Sequence, residues 1–106
     1  MKLILAIVRA EDASDVTAAL NEAGLRVTRI ATQGAWLRKE NSTLLMGVDD
    51  KQVNLALNIL KRKGGKRIEQ VLFAGSPESG VPPISTDQEV GGATIFVLDV
   101  VQNERL

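Results

Sequence analysis

The chain contains no cysteine and no histidine. Without cysteine there is no disulfide framework, no thiolate nucleophile and no cysteine zinc site. Without histidine the commonest metal ligand and the commonest general base near neutral pH are both missing. An excess of one charge is missing too. Thirteen basic side chains balance thirteen acidic ones, whereas bulk nucleic-acid binding shows a basic surplus. No apolar stretch approaches the ~20 residues of a membrane span. The opening MKLILAIV has one lysine and a short apolar run, with no small-residue cleavage site after it, so no signal peptide is read there. These absences lead to the expectation of a soluble cytoplasmic protein that is not an enzyme and holds no metal or cofactor. Serine and lysine occur, but no pattern places them together as a catalytic group.

What is present is ordinary in bulk. At 106 residues, 44% hydrophobic and 25% charged, the chain reads as one globular domain over residues 1–106. That length can bury a core without disulfide or metal staples.

Hydrophobic periodicity lays out the elements. Leu3 to Val8 is continuously apolar and predicts a central strand. In EDASDVTAALNEAG, Ala13, Val16, Ala19, Leu20 and Ala23 recur at helical spacing. Acidic residues crowd the start of this segment, where the helix dipole favours them. Gly24 stands where a left-handed cap belongs. Strands are expected over Leu25 to Thr32 and Ser42 to Val48, the second interrupted by Gly47. A second helix is expected across DDKQVNLALNILKRKGG, buried through Val53, Ala56, Leu57 and Leu60, with Asp49 and Gln52 as a capping box. Lys66 to Ala74 reads as a strand and Gly75 to Gly92, with all three prolines, as a long irregular loop. Ala93 to Val101 reads as a final strand. The class is α+β: a ferredoxin-like βαββαβ order with an extra C-terminal strand, two helices covering one face of an antiparallel sheet.

Two helices cover only one face. The other should meet water and read polar. Instead Leu3, Leu5 and Ile7 point one way while Ile4, Ala6 and Val8 point the other, and TIFVL repeats this near the C-terminus. No other segment is apolar enough to cover the second face. The expected cover is another copy of the chain, and ligand sites often form at such junctions.

The candidate ligand residues cluster around ATQGAWLRKENST. Trp36, the sole tryptophan, sits among Gly34, Arg38, Lys39 and Asn41. It reads either as a packing cap or as a platform for stacking a nucleobase. Gly34 lets backbone approach a ligand closely. Asn41 offers donor and acceptor to a base edge. Arg26 and Thr28, on the preceding strand, could hold a phosphate. Lys61, Arg62, Lys63, Lys66 and Arg67 form a basic run, read as a solvated helix end or as a phosphate patch. Gly91-Gly92 reads as a turn or as an anion nest.

Taken together and in order, MKLILAIV, LRVTRIAT, GAWLRKENSTLLMGV and VGGATIFVLDV resemble the PII-like cyclic-di-AMP receptor family over nearly the full length. The resemblance implies a homotrimer of ferredoxin-like subunits, with cyclic di-AMP in clefts between neighbours. By matching position it implies stacking by Trp36, where the family usually has Phe, packing by Leu37 and base reading by Asn41. It implies phosphate and sugar contacts from Arg26 and Thr28, and backbone contacts from Gly47 and Gly92. Gly34 and Ala35 fall on the family's glycine pair. Ala35 replaces the second glycine, and its methyl could crowd a close base.

The function expected on these grounds is a non-catalytic signal receptor that binds cyclic di-AMP, changes loop conformation and so controls a downstream protein. The alternatives are a PII-like sensor of another adenine nucleotide and a protein-interaction module with no nucleotide ligand.

Overall fold

The computed structural model describes residues 1–30, 41–76 and 78–106. Its elements are β1 (Lys2–Arg9), α1 (Ala13–Glu22), β2 (Thr28–Ile30), β3 (Asn41–Val48), α2 (Val53–Gly64), β4 (Arg67–Phe73), β5 (Ile84–Val90) and β6 (Ala93–Asp99). A short 3-10 turn leads into each helix.

Four strands form an antiparallel sheet in the order β2-β3-β1-β6. This is the ferredoxin-like order, with both helices on one face. Ile4, Ala6 and Val8 of β1 and Leu44, Met46 and Val48 of β3 are buried with Ala13, Val16 and Leu20 of α1 and Ala56, Ile59 and Leu60 of α2. The helical period fixed most of these positions. Ile59 joins the core although the expected stripe omitted it, and Val53 and Leu57 are only half-buried.

Local chemistry sets the helix ends. Asp49 and Gln52 form the expected capping box, with Asp49 N–H donating to Gln52 Oε1 at 3.3 Å. Gly24 has φ +84°, the left-handed conformation that closes α1. Gly64 has a different reason to be glycine. It is buried inside the last turn of α2, and a Cβ there would meet Val16 Cγ2 at 3.2 Å and Val8 Cγ1 at 3.3 Å. Close packing of α2 on β1 and α1 selects it.

The chain after α2 departs from expectation. The segment 66–74 was expected to complete the sheet, but the strand beside β1 is β6. The segment 75–92 is not one irregular loop, because it contains β5. β4 and β5 pair with each other in a separate antiparallel ribbon, in register from Arg67–Val90 to Phe73–Ile84. Composition explains the exchange. A strand next to β1 needs apolar side chains on both faces, and ATIFVLD supplies them, whereas Arg67, Glu69 and Gln70 interrupt β4.

Candidate functional site

Strand alternation decides which side chains share a face. In β3, Ser42, Leu44, Met46 and Val48 belong to the helix side, so Asn41, Thr43, Leu45 and Gly47 belong to the helix-free side. The cross-strand register carries that side through the whole sheet. Leu3 lies between Gly47 and Leu98, Leu5 between Leu45 and Phe96, and Ile7 between Thr43 and Thr94. On β2, Thr28 is opposite Leu45 and Ile30 opposite Thr43. The helix-free face is therefore largely apolar. Phe96 is 45% and Leu98 47% exposed in the single chain.

Three of the expected site residues that the structure describes map onto this face. Thr28, Asn41 and Gly47 lie on it by register, on the neighbouring strands β2 and β3. Arg26 is exposed, two residues before Thr28. Asn41 is half-buried at the end of β3, opposite Arg9. Gly47 continues the ladder without a bulge, pairing with Lys2's neighbour Leu3. Among the described residues a Cβ there would meet only the tip of Met1, Cε at 3.0 Å. Glycine thus leaves a bare stretch of backbone on an otherwise covered strand. Gly92 precedes β6, at the opposite edge of the sheet. Three strand spacings separate β2 from β6, about 14 Å. One chain does not bring the two groups together. Gly34, Ala35, Trp36 and Leu37 lie outside the described residues.

Gly91 and Gly92 form a tight crossing. Gly91 has φ +79° and Gly92 φ +125°. Gly92 N–H donates to Gly64 O at 2.9 Å, so it is already satisfied within the chain. A Cβ on Gly91 would lie 2.3 Å from Gly65 O and 2.6 Å from Arg67 Nη1. The turn reading accounts for this pair. A ligand contact at Gly92 is left to its carbonyl or Cα.

The basic run divides. Lys61, Arg62 and Lys63 are exposed in the last turn of α2, where cations complement the dipole. Lys66 faces Glu89 across an exposed pair at 3.8 Å. Arg67 is a different residue altogether. Its guanidinium donates to both oxygens of Asp12, from Nη2 at 2.6 Å and Nη1 at 3.3 Å. Nη1 also donates to Gly65 O at 3.1 Å, and Nε to Glu69 Oε1 at 3.0 Å. Asp12 is only 4% exposed. These hydrogen bonds, Asp12 first and Glu69 second, push the Arg67 pKa up, so the group stays charged. Fork-to-carboxylate geometry gives the pair its direction. It ties the base of the ribbon to the start of α1.

Two further polar groups went unread in the sequence. Arg29 Nη2 donates to Ser42 Oγ at 2.8 Å on the helix side of β2 and β3. Thr43, 4% exposed, has a buried hydroxyl with no hydrogen-bond partner among the described residues. It stands between Asn41 and Leu45 on the helix-free face. A shallow groove of about 270 Å³, lined by Asp15, Ala18, Ala19, Glu22 and Lys63, lies along the helices, on the other side of the sheet. It falls just below the ~300–1,000 Å³ typical of ligand pockets.

Residues 1–106 match the cyclic-di-AMP receptor family model. The chain belongs to the cyclic-di-AMP receptor family. A crystal structure of a functionally unknown protein from Pediococcus pentosaceus is similar in fold, with a TM-score of 0.75 and 33% sequence identity. The likeness covers 99% of this chain and 96% of that one. The family assignment makes this protein a nucleotide-binding receptor in signal transduction. Among the described residues no cluster of metal-ligating side chains occurs. No helix there is long and apolar enough to cross a membrane.

Proposed function

We propose that the protein is a non-catalytic PII-like receptor of the cytoplasm, working as a homotrimer that binds cyclic di-AMP in the clefts between its subunits. One observation carries the reading. Of the residues expected to touch the ligand, Thr28, Asn41 and Gly47 lie on the helix-free apolar face, on β2 and β3, whereas Gly92 precedes β6 at the opposite edge of the sheet. A second copy docked edge to edge would bring one chain's β6 side to the next chain's β2–β3 side. Three copies joined this way around one axis would turn their helix-free faces inward and so cover them. Ligand and assembly then share a cause, since the cleft exists only where two copies meet.

In this arrangement Trp36 stacks on an adenine, Leu37 packs on the base, Asn41 reads its edge, and Arg26 with Thr28 holds the phosphate and sugar. Gly34 and Gly47 admit the ligand close to backbone, and Ala35 narrows that approach. Binding then reshapes the surrounding loops and changes which downstream protein is contacted. Trp36 supplies the reporter. Its fluorescence should change on titration with cyclic di-AMP and saturate, with smaller or no response to cyclic di-GMP or ATP. A response to ATP alone favours a sensor of another adenine nucleotide. No response to any of them, up to high micromolar concentration, leaves a protein-interaction module.

A further inference from the structure

The β4–β5 ribbon takes no part in the site described above, yet it dominates the molecule's outline. The chain measures 64 × 29 × 19 Å with a radius of gyration of 17.7 Å, against about 13 Å for a compact domain of this length. Among the described residues the ribbon pairs with no strand of the main sheet. Arg67, Gly91 and Gly92 hold it at its base. An isolated two-stranded ribbon is at best marginally stable in water. This one also exposes large apolar side chains, Ile68 at 66% and Leu72 at 70%.

Register shows what surrounds them. Ile68 is opposite Glu89, Gln70 opposite Asp87 and Leu72 opposite Ser85, so all six share one face. That face carries two apolar side chains on β4 and two carboxylates on β5. From Arg67 to Val90 the only cation is Arg67, which Asp12 and Glu69 already hold, while Glu69, Glu78, Asp87 and Glu89 are acidic; Lys66, one residue earlier, pairs with Glu89 at 3.8 Å in an exposed contact. Beyond the Lys66–Glu89 pair the ribbon carries Leu72, Asp87 and Glu78 and no cation.

We propose that this face docks a partner protein through a basic amphipathic helix. The partner's apolar stripe would lie on Ile68 and Leu72, and its Lys or Arg side chains would meet Asp87 and compete with the exposed Lys66 for Glu89. Spacing agrees: Ile68 and Leu72 are four strand residues apart, about 13 Å, close to the ~11 Å between helix positions i and i+7. Charge selects the occupant. A second ribbon would set carboxylates against carboxylates, which destabilises a pairing, and a polyanion is repelled. The inference rests on the receptor reading in one respect, that the protein acts through a partner. It does not depend on which nucleotide binds.

The test uses the full chain without nucleotide. A labelled Leu/Lys amphipathic peptide of about four helical turns is titrated against it, beside a Leu/Glu peptide of the same pattern. The Leu/Lys peptide should bind roughly tenfold more tightly or better. Ile68→Ser with Leu72→Ser should lose about tenfold or more. Asp87→Asn with Glu89→Gln should lose severalfold and remove much of the salt dependence. These positions are exposed, so the variants should melt like the parent. Equal binding of the two peptides overturns the proposal, and so does Leu/Lys binding that neither double variant weakens. Dissociation of an oligomer by Ile68→Ser with Leu72→Ser also overturns it, by placing a second copy on the face. Cyclic di-AMP binding by the parent is measured separately. If it is absent while peptide binding follows the ribbon, the receptor reading falls and the ribbon assignment stands.

Discussion

Arg67 and Asp12 make the sharpest case at the scale of single residues. Asp12 is buried and Arg67 partly exposed, so the two halves of the pair are not equivalent. Arg67→Met strands a buried carboxylate and should cost about 3 kcal/mol. Asp12→Ala leaves a cation that still reaches water and Glu69, and should cost only about 1–2 kcal/mol. Urea unfolding of both variants checks the order, and equal losses would refute the asymmetry. Thr43 offers an opposite case. Its hydroxyl is buried without a partner among the described residues, so Thr43→Val should stabilise the ligand-free protein by about 1 kcal/mol. A destabilised variant would mean that assembly supplies the missing partner. At Trp36 the receptor reading predicts that alanine weakens cyclic di-AMP binding by about 1–3 kcal/mol, the range for one lost stacking platform. Trp36→Phe should keep most of the affinity. A packing role predicts instead a lower melting temperature and unchanged affinity. Sequence made these residues unequally visible. Thr28, Asn41 and Gly47 could be named because their motif is contiguous. Arg67 could not, because its partner lies 55 positions away and its neighbours in sequence are surface lysines.

At the scale of elements, periodicity located both helices, where one face is plainly apolar, and a continuous apolar run located β1. It failed after α2. The segment KRIEQVLFA alternates well enough to be a strand, but alternation does not say which sheet a strand joins. The glycines flanking the ribbon did, in retrospect, mark the point where the chain leaves the body. Gly64-Gly65 and Gly91-Gly92 cross there, joined by Gly92 N–H to Gly64 O. Two substitutions separate conformation from contact. Gly80 at the ribbon tip has φ +71° but no described residue within 4 Å of a Cβ. Gly80→Ala should therefore cost only about 1–2 kcal/mol of backbone strain. Gly91→Ala adds a clash with Gly65 O and the Arg67 guanidinium to the same strain. It should cost clearly more, and hydrogen exchange should show the ribbon's base opening. Equal costs would mean that the crossing is looser than its geometry indicates.

For the whole molecule, the two-sided apolar pattern of β1 and β6 was readable from sequence alone, and the structure gives it a place. Leu3, Leu5 and Ile7 join Leu45, Phe96 and Leu98 on a face that no helix covers. Which surface covers that face is a property of several chains, and neither periodicity nor one chain's geometry contains it. The account ties that cover to the ligand: the cleft forms between copies, so nucleotide should bind assembled protein and not the single chain. Native mass spectrometry with cyclic di-AMP reads both quantities in one spectrum. The account predicts a species of three 11.4 kDa chains carrying up to three nucleotides, with none on residual monomer. A monomer that carries cyclic di-AMP, or a trimer that carries none at saturating concentration, would contradict it.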